Sequence, residues 1–500
     1  MSAAHSAGNS NSGTDPVLEP FIEWSQSIRW DAVPEATRTV IRRELLDYLG
    51  GAIAGRAVVG MPAWLKVLVD MKGLKEAMVV GGPAVPSPLA ALCNGYFGHV
   101  LEFDDTHDAA TLHAGSAPIP AALAAAGRIG KLSGSRLCES VLLGIELTCR
   151  LGVATRLNLI EGGWIYGALL GHFGATLSAA HLLDNRPPAM RNAFGIAYCL
   201  VCGNHQSTRE SAPTKHVQPG FAASNGLTAS LMGSAGLDGV KQPISGEDGL
   251  ARVYLHTLFD TAVAVENLGS HFQTERLSFK PYPTCRFTHP GISAALKLRQ
   301  KLGERMDQIE RLDLIVGPQA HDIVGRADPD RLTPATRMHA QFSIQWAVAN
   351  ALLHGELTPR QLVVEVPPAD DTRALIARID CQVNTHATDR DIGGCILRAH
   401  GPFGTVEVQD LHAKGHPDNP LSDAELLEKF TANVRLAGFS SRGAKALAKD
   451  ILDIDALPDV SPLLARLGRP QRGSQAGGSG TSSSAPAATG ASTSGIPAVA

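Results

Sequence analysis

Four carboxylates, two imidazoles and two hydroxyls fall within the twelve residues Glu102-Phe-Asp-Asp-Thr-His-Asp-Ala-Ala-Thr-Leu-His113. Such a set can move a proton and stabilise charge, the two requirements of acid–base chemistry. It lies between two apolar, Ala-rich segments, 88–99 and 118–126, which both read as buried helices. The cluster is therefore placed at the junction of two core helices. The second helix is expected to begin near Pro118, a residue tolerated in a first helical turn. Its N-terminus, with free N–H groups and partial positive charge, suits a bound carboxylate.

Two further polar knots carry the cations. In Leu277-Ser-Phe-Lys-Pro-Tyr-Pro-Thr-Cys-Arg-Phe-Thr-His-Pro290, three prolines hold the chain extended or turned and present Lys280, Cys285, Arg286 and His289 on a stiff segment. The stretch 203–220 is polar between apolar helices, with Lys215 its main cation. Acids and imidazoles on one segment with Lys and Arg on two others describe a site for a polycarboxylate: the cations fix carboxylates, and an imidazole or carboxylate moves a proton. Taken singly, each residue has a blander role. Asp104 could be a cap or turn former, His289 a satisfied structural histidine and Lys215 a surface charge. Co-occurrence in three places, each with apolar flanks, favours the site. Asp104, Asp105, His107, Asp108 and His113 are also ordinary ligands for a divalent metal. No paired spacing such as HExxH supports that reading, and no metal is expected.

At 500 residues the chain exceeds the size at which one core stops growing, so two domains are expected. The segments 37–54, 63–71, 135–152, 167–183, 190–202 and 221–233 show helical patterning, and 16–276 reads as a helical domain. From 277 to 410 the composition changes. Alternating, β-branched runs at 309–316, 361–366, 377–383, 395–398 and 404–409 read as strands, with helices at 293–302 and 342–353, giving an α+β domain. Helices return over 422–467, where Ser422-Asp-Ala-Glu425 forms a capping box. Residues 411–472 then complete the first domain, and the α+β unit is an insertion. The ends, 1–15 and the Gly/Ser/Ala-rich 473–500, read as disordered. The fold class is thus mainly α: a large discontinuous helical domain closed by C-terminal helices, plus a smaller α+β domain.

A net charge of −4 offers no basic excess for phosphate backbones, so nucleic acid is not expected as a partner. No apolar run reaches the roughly 18 residues of a membrane span. The first thirteen residues lack the basic and apolar regions of a secretory signal. A cytoplasmic protein with no membrane partner is expected. Eight scattered Cys fit a reducing compartment, and the lone Cys199-Leu-Val-Cys202 reads as core packing.

The stretches 98–113, 214–223 and 279–290, in that order, resemble the MmgE/PrpD family, which includes 2-methylcitrate dehydratase, cis-aconitate decarboxylase and iminodisuccinate epimerase. The likeness covers roughly 16–467. It implies a helical domain, an α+β lid, a homodimer, no cofactor and an active site in the crevice between the domains. By motif, Asp105, Thr106 and His113 fall on the acidic-loop positions, Lys215 on the second motif's lysine and Lys280 on the lysine opening the lid. The resemblance implies an acid–base lyase with His113 transferring the proton, Asp105 as its orienting partner, and Lys215 and Lys280 as carboxylate anchors. Glu102, Asp104, Thr106, His107, Cys285 and Arg286 are the candidate substrate contacts. Four departures stand out. Glu102 replaces the decarboxylase's Asp, and His113 lies one residue farther from Thr106. Ile165 occupies a place that usually carries His, and Cys285 matches the decarboxylase's lid histidine. An epimerase uses the same groups without a leaving group and stays open, as does a non-catalytic binding protein.

Overall fold

The computed structural model describes residues 13–386 and 392–468. Of the ends expected to be disordered, 1–12 and 473–500 lie outside those residues. Asp15 is not part of a loose tail. It is buried, and its carboxylate accepts from the N–H groups of Val17 (3.0 Å), Ile244 (2.8 Å) and Ser245 (3.0 Å).

Helices α1 (Glu35–Val59), α2 (Ser87–His99), α3 (Pro118–Ile129), α4 (Gly134–Ala154), α5 (Gly171–Leu182), α6 (Pro187–Leu200) and α7 (Thr214–Ser234) form the larger part of the molecule. α7 packs against α2, α5 and α6, while α5 also packs against α3 and α4. α2 and α7 cross in close backbone contact. A Cβ on Gly95 would lie 2.6 Å from the Cα of Gly220, and one on Gly220 would lie 2.4 Å from the carbonyl oxygen of Leu92. Only glycine allows the two backbones to touch there. Because α2 ends at His99 and α7 starts at Thr214, this crossing carries His99 to Lys215.

Several expected elements differ. The helix expected from 221 begins seven residues earlier, so Lys215 sits in a first helical turn rather than in a polar loop. The single helix expected over 167–183 is broken into Tyr166–Leu169 and Gly171–Leu182. Cys199 is exposed and Cys202 lies beyond the end of α6, so the CxxC is not core packing.

The second part holds a four-stranded sheet in the order β2-β1-β3-β4, with β1 (Arg311–Val316), β2 (Ile379–Val383), β3 (Cys395–Gly401) and β4 (Gly404–Asp410). The β1–β2 pair is parallel and the other two are antiparallel. Alternate residues Cys395, Leu397 and Ala399 of β3 are buried, and helix α8 (His289–Leu302) packs on β3 and β4. The strand expected at 361–366 is instead a helical turn, Gln361–Val364. The Gln361 side-chain oxygen accepts from both the backbone N–H (2.8 Å) and hydroxyl (2.7 Å) of Thr358, and Val363 and Val364 are exposed. Local capping wins over the strand preference of an apolar, β-branched run.

α9 (Asp423–Leu436) starts with the expected capping box. Ser422 Oγ accepts from the Glu425 N–H (3.3 Å), and the Glu425 carboxylate accepts from the Ser422 N–H (2.7 Å). α9 packs on α1. There Lys429 reaches Asp47 (2.6 Å) and donates to the carbonyl oxygen of Phe103 (2.9 Å). Among the described residues no single helix is long and apolar enough to cross a membrane.

The α2–α7 contact makes a direct prediction. Gly95→Val should cost about 1–3 kcal/mol of stability, the usual range for overpacking. Denaturant unfolding monitored by circular dichroism would read this as a lower midpoint; an unchanged midpoint would show that the helices can separate without cost.

Candidate active site

A two-residue antiparallel ribbon fastens the acidic loop to the start of the second part. Thr106 pairs with Ser278 and His107 with Leu277. This register sets Lys280, Cys285 and Arg286 beside Glu102–His113. The join is reinforced by charge, because Arg286 meets Asp108 through Nε (3.1 Å) and Nη2 (2.7 Å) to Oδ2. Thr106 Oγ1 donates to the other oxygen of Asp108 (2.7 Å).

At the centre is Glu102, which is 1 % exposed. Its carboxylate accepts from Lys215, and its carbonyl oxygen accepts from Lys280 Nζ (2.9 Å), which lies 3.7 Å from Oε2. His216 Nε2 is 3.4 Å from Oε1. The backbone of Glu102 has φ +51°, an uncommon conformation for a side-chain-bearing residue, held here by these contacts. Burial opposes ionisation of Glu102, but Lys215, His99 and Lys280 outweigh it and hold the carboxyl well below its ordinary range.

Asp104 organises the imidazoles. Its Oδ2 lies 2.8 Å from His99 Nδ1 and 3.2 Å from His113 Nδ1. His113 Nδ1 also lies 2.9 Å from the carbonyl oxygen of Asp105. Both neighbours of that nitrogen are acceptors, so Nδ1 carries the proton and Nε2 of the neutral ring is left as a base. His99 follows the same logic: its Nδ1 donates to Asp104, and its Nε2 accepts from Lys215 Nζ at 2.7 Å. Burial is the main cause that keeps the His113 ring neutral, lowering its pKa to about 4 against the pull of Asp104. Burial also opposes ionisation of Asp104, and His113 and His99 more than offset it.

Beneath the loop, Glu44 and Asp47 from α1 join Asp105 in a buried acidic layer. Burial, followed by the charges of Asp105 and Asp47, drives Glu44 well above the carboxylate range. Asp105 is raised too, by burial and by Asp104. Burial and neighbouring negative charge thus favour the protonated form at both Glu44 and Asp105.

Glu102, Thr106, His113, Lys215, Cys285 and Arg286 line one cavity of about 580 Å³, its mouth included. Its wall also includes Leu112, Ile165, His205, Phe287, Ile323 and Phe342. Four expected site residues sit behind that wall. Asp104 and Lys280 support it from below. The Asp105 carboxylate turns away to accept from the N–H groups of Ala114 (3.0 Å) and Gly115 (3.1 Å). The carboxylate that orients His113 is therefore Asp104's, and Asp105 helps through its carbonyl. His107 faces elsewhere: its Nδ1 accepts from Ala110 N–H (3.2 Å) and its Nε2 lies 3.2 Å from Gln273 Oε1.

Sequence reasoning missed His99, His216 and His205. His99 closes a segment read as a buried helix, and His216 lies in the polar stretch 203–220 beside Lys215; both fall within the quoted stretches 98–113 and 214–223 but were given no role. His205 reaches the wall because its N–H bonds to the carbonyl oxygen of Gly163 (2.8 Å), where Trp164 and Asn204 pair as an antiparallel bridge next to Ile165. By atom type, His99, Asp104 and His113 could hold a cation. As arranged, both Nδ1 protons point at Asp104, and Lys215 and Lys280 supply the positive charge that acidic side chains need. The group is therefore read as a hydrogen-bonded relay.

Residues 19–260 match the model of the MmgE/PrpD N-terminal domain, and 282–453 match that of the MmgE/PrpD C-terminal domain. Among curated proteins, the chain is 24% identical to cis-aconitate decarboxylase of Aspergillus terreus over 496 residues, covering 94% of this chain and 99% of the relative. It is 27% identical to the cis-aconitate decarboxylase-like protein oryM of Aspergillus oryzae, covering 90% and 96%. It is 26% identical to human cis-aconitate decarboxylase, covering 86% and 90%.

A histidine whose folded pKa lies near 4, against 6.5 when free, destabilises the fold as pH drops, because the unfolded chain takes up the proton first. The depressed carboxyls of Glu102 and Asp104 act in the same direction at lower pH. Glu44 and Asp105, raised in the fold, act the other way, but the buried rings of His99, His107, His172, His205, His216 and His289 are all lowered by burial and share the sign of His113, so the melting temperature should fall as pH is lowered from 6.5 to 4. The His113 Cε1 proton resonance, assigned by its loss in His113→Gln, should keep its neutral position down to pH 5. A titration midpoint between 6 and 7 would contradict this assignment.

Proposed function

The chain belongs to the MmgE/PrpD family, and we propose that it is a lyase that removes water or CO2 from a small di- or tricarboxylate such as 2-methylcitrate or cis-aconitate. The observation that carries this reading is the neutral His113 at the cavity wall. Its Nδ1 proton is fixed by Asp104 and Asp105, which leaves Nε2, 3.8 Å from Glu102 Oε2, to exchange a proton in a cavity that Lys215 and Arg286 also line. The cis-aconitate decarboxylases that match nearly the whole chain support the lyase class.

The chemistry follows from the groups present. In a dehydration, His113 Nε2 takes a proton from the carbon next to a carboxylate and, as the imidazolium, returns that proton to the departing hydroxide, which leaves as water while the C–H electrons form the double bond. In a decarboxylation, the C–C bonding electrons stay behind as CO2 departs, and a proton returns to carbon. Both routes place negative charge on an enolate. Lys215, at the wall, and Lys280, just behind Glu102, stabilise that charge, and the water-poor surroundings strengthen the effect. Neither route changes the overall oxidation state, so neither requires a redox cofactor. Arg286 can hold a second carboxylate through whichever of its donors Asp108 leaves unused.

One observation favours an epimerase as the second reading. Ile165 lines the cavity and has no proton to offer a leaving hydroxyl, and epimerisation needs no leaving group.

Proton NMR in D2O with 2-methylcitrate, citrate, cis-aconitate and iminodisuccinate separates these readings. New vinylic signals are expected, and the product identifies the leaving group. Exchange at an α-carbon without a new skeleton would make the protein an epimerase, and silence across the panel would overturn both. In the active pairing, His113→Ala should lower kcat about 10²–10⁴-fold, the usual weight of a general base. Full activity in that variant would remove His113 from the mechanism.

A further inference from the structure

Most polar side chains that line the cavity already have a partner inside the protein. Lys215 is shared between Glu102 and His99, and Arg286 is bonded to Asp108 through two of its nitrogens. The hydroxyls of Thr106, Thr111 and Tyr166 donate to Asp108 Oδ1 (2.7 Å), the Asp108 carbonyl oxygen (3.4 Å) and the Leu157 carbonyl oxygen (2.9 Å). Two groups are left over. His205 Nδ1 and Thr208 Oγ1 are buried and have no hydrogen-bond partner among the described residues, although both side chains line the same cavity. Buried polar groups are nearly always paired, so two orphans in one wall mark a place where a bound molecule supplies the partner.

The backbone that carries them is firmly held. Gln218, one turn beyond Lys215 on α7, accepts from the Asn204 N–H (2.8 Å) and donates to the Asn204 carbonyl oxygen (3.1 Å) and to Ser207 Oγ (2.7 Å). The His205 N–H is fixed to Gly163, and Arg209 meets Asp322 of the second part at 2.9 Å. The Thr208 N–H bonds back to the His205 carbonyl oxygen (3.0 Å), so the two side chains share one turn. Burial, followed by the charges of Arg209 and Lys215, lowers the His205 pKa to about 4, and the ring is neutral. A neutral imidazole and a hydroxyl with cations nearby suit an oxygen, and neither has to give up a protein partner to bind it.

We propose that His205 and Thr208 touch the substrate and donate to the oxygen that gathers negative charge as the reacting carbon loses its proton or CO2. The inference rests on reading the cavity as an acid–base site and adds two catalytic residues to it. Lys215 and Lys280 act on that charge from within their own contacts to Glu102. His205 and Thr208 are uncommitted donors, in place before the reaction begins. No proton changes hands at His205: its N–H stays on the ring, and the hydrogen bond strengthens as the charge develops.

Kinetics on the full chain test the pair. His205→Leu should lower kcat about 10²-fold with KM nearly unchanged, the usual weight of one oxyanion donor. Thr208→Val should lower kcat in the same way. His205→Asn offers an uncharged N–H near the Nδ1 position and His205→Gln one near Nε2; one of the two should recover about tenfold of the loss. An unchanged kcat in His205→Leu, or a loss that neither amide recovers, would overturn the proposal. A second readout needs no turnover. Tricarballylate, added until the His113 Cε1 proton resonance stops moving, should also shift that of His205, assigned by its loss in His205→Gln. Movement of His113 alone would overturn the pair and leave the lyase reading standing. Movement of both, with no acid turned over, would keep the pair as oxygen donors and overturn the lyase, and a ligand that moves neither would overturn both.

Discussion

One buried carboxylate holds three distant parts of the chain together. Glu102 receives Lys215 from the first turn of α7 and Lys280 from the segment that opens the second part, and His99 from the end of α2 completes the group. Each of these side chains is almost wholly removed from water, so Glu102, Lys215 and Lys280 cannot lose their partners without leaving an uncompensated charge inside the protein. The α2–α7 crossing, the ribbon at Thr106–His107 and the Arg286–Asp108 pair all serve this convergence. The left-handed backbone at Glu102 itself is maintained by the same contacts.

Around that pair the protein sorts its acids by environment. Glu102 and Asp104 are kept ionised by cations and imidazoles, while Glu44 and Asp105 are pushed towards the protonated form by burial and by the neighbouring carboxylates, Asp105 acting on Glu44 and Asp104 on Asp105. Carboxyls with opposed tendencies in one cluster are what proton-transfer sites are built from. His113 stands at the boundary, neutral, with one nitrogen fixed and the other facing the cavity. The hydrocarbon on the far part of the wall lowers the local dielectric, which strengthens every charge interaction in the site.

Much of this was legible in the sequence because chemistry-bearing residues were concentrated where apolar flanks made no sense of them. The loop 102–113, Lys215 and the 280–286 segment stand out for that reason, and six of the ten expected residues do line one cavity. What escaped was hidden by context. His99 closes an apolar helical segment, His216 stands beside the more conspicuous Lys215, and a single sequence gives no sign that a ring will meet a charged group from another segment. The choice between Asp104 and Asp105 was beyond sequence altogether, since adjacent residues differ only in which way the turn points them. The strand expected at 361–366 failed for the opposite reason: an apolar, β-branched run looked like sheet, but a glutamine–threonine cap folded it into a turn.

The most direct test of the central claim is a double-mutant cycle between Glu102→Gln and Lys215→Met, read by denaturant unfolding at neutral pH. If the buried pair organises the site, each single change should cost about 3–5 kcal/mol, because each leaves a charge stranded. The double variant should then be more stable than the sum predicts, by about 1–3 kcal/mol. Losses that add to within about 0.5 kcal/mol would show that the two side chains are independent and that something else holds the three segments together.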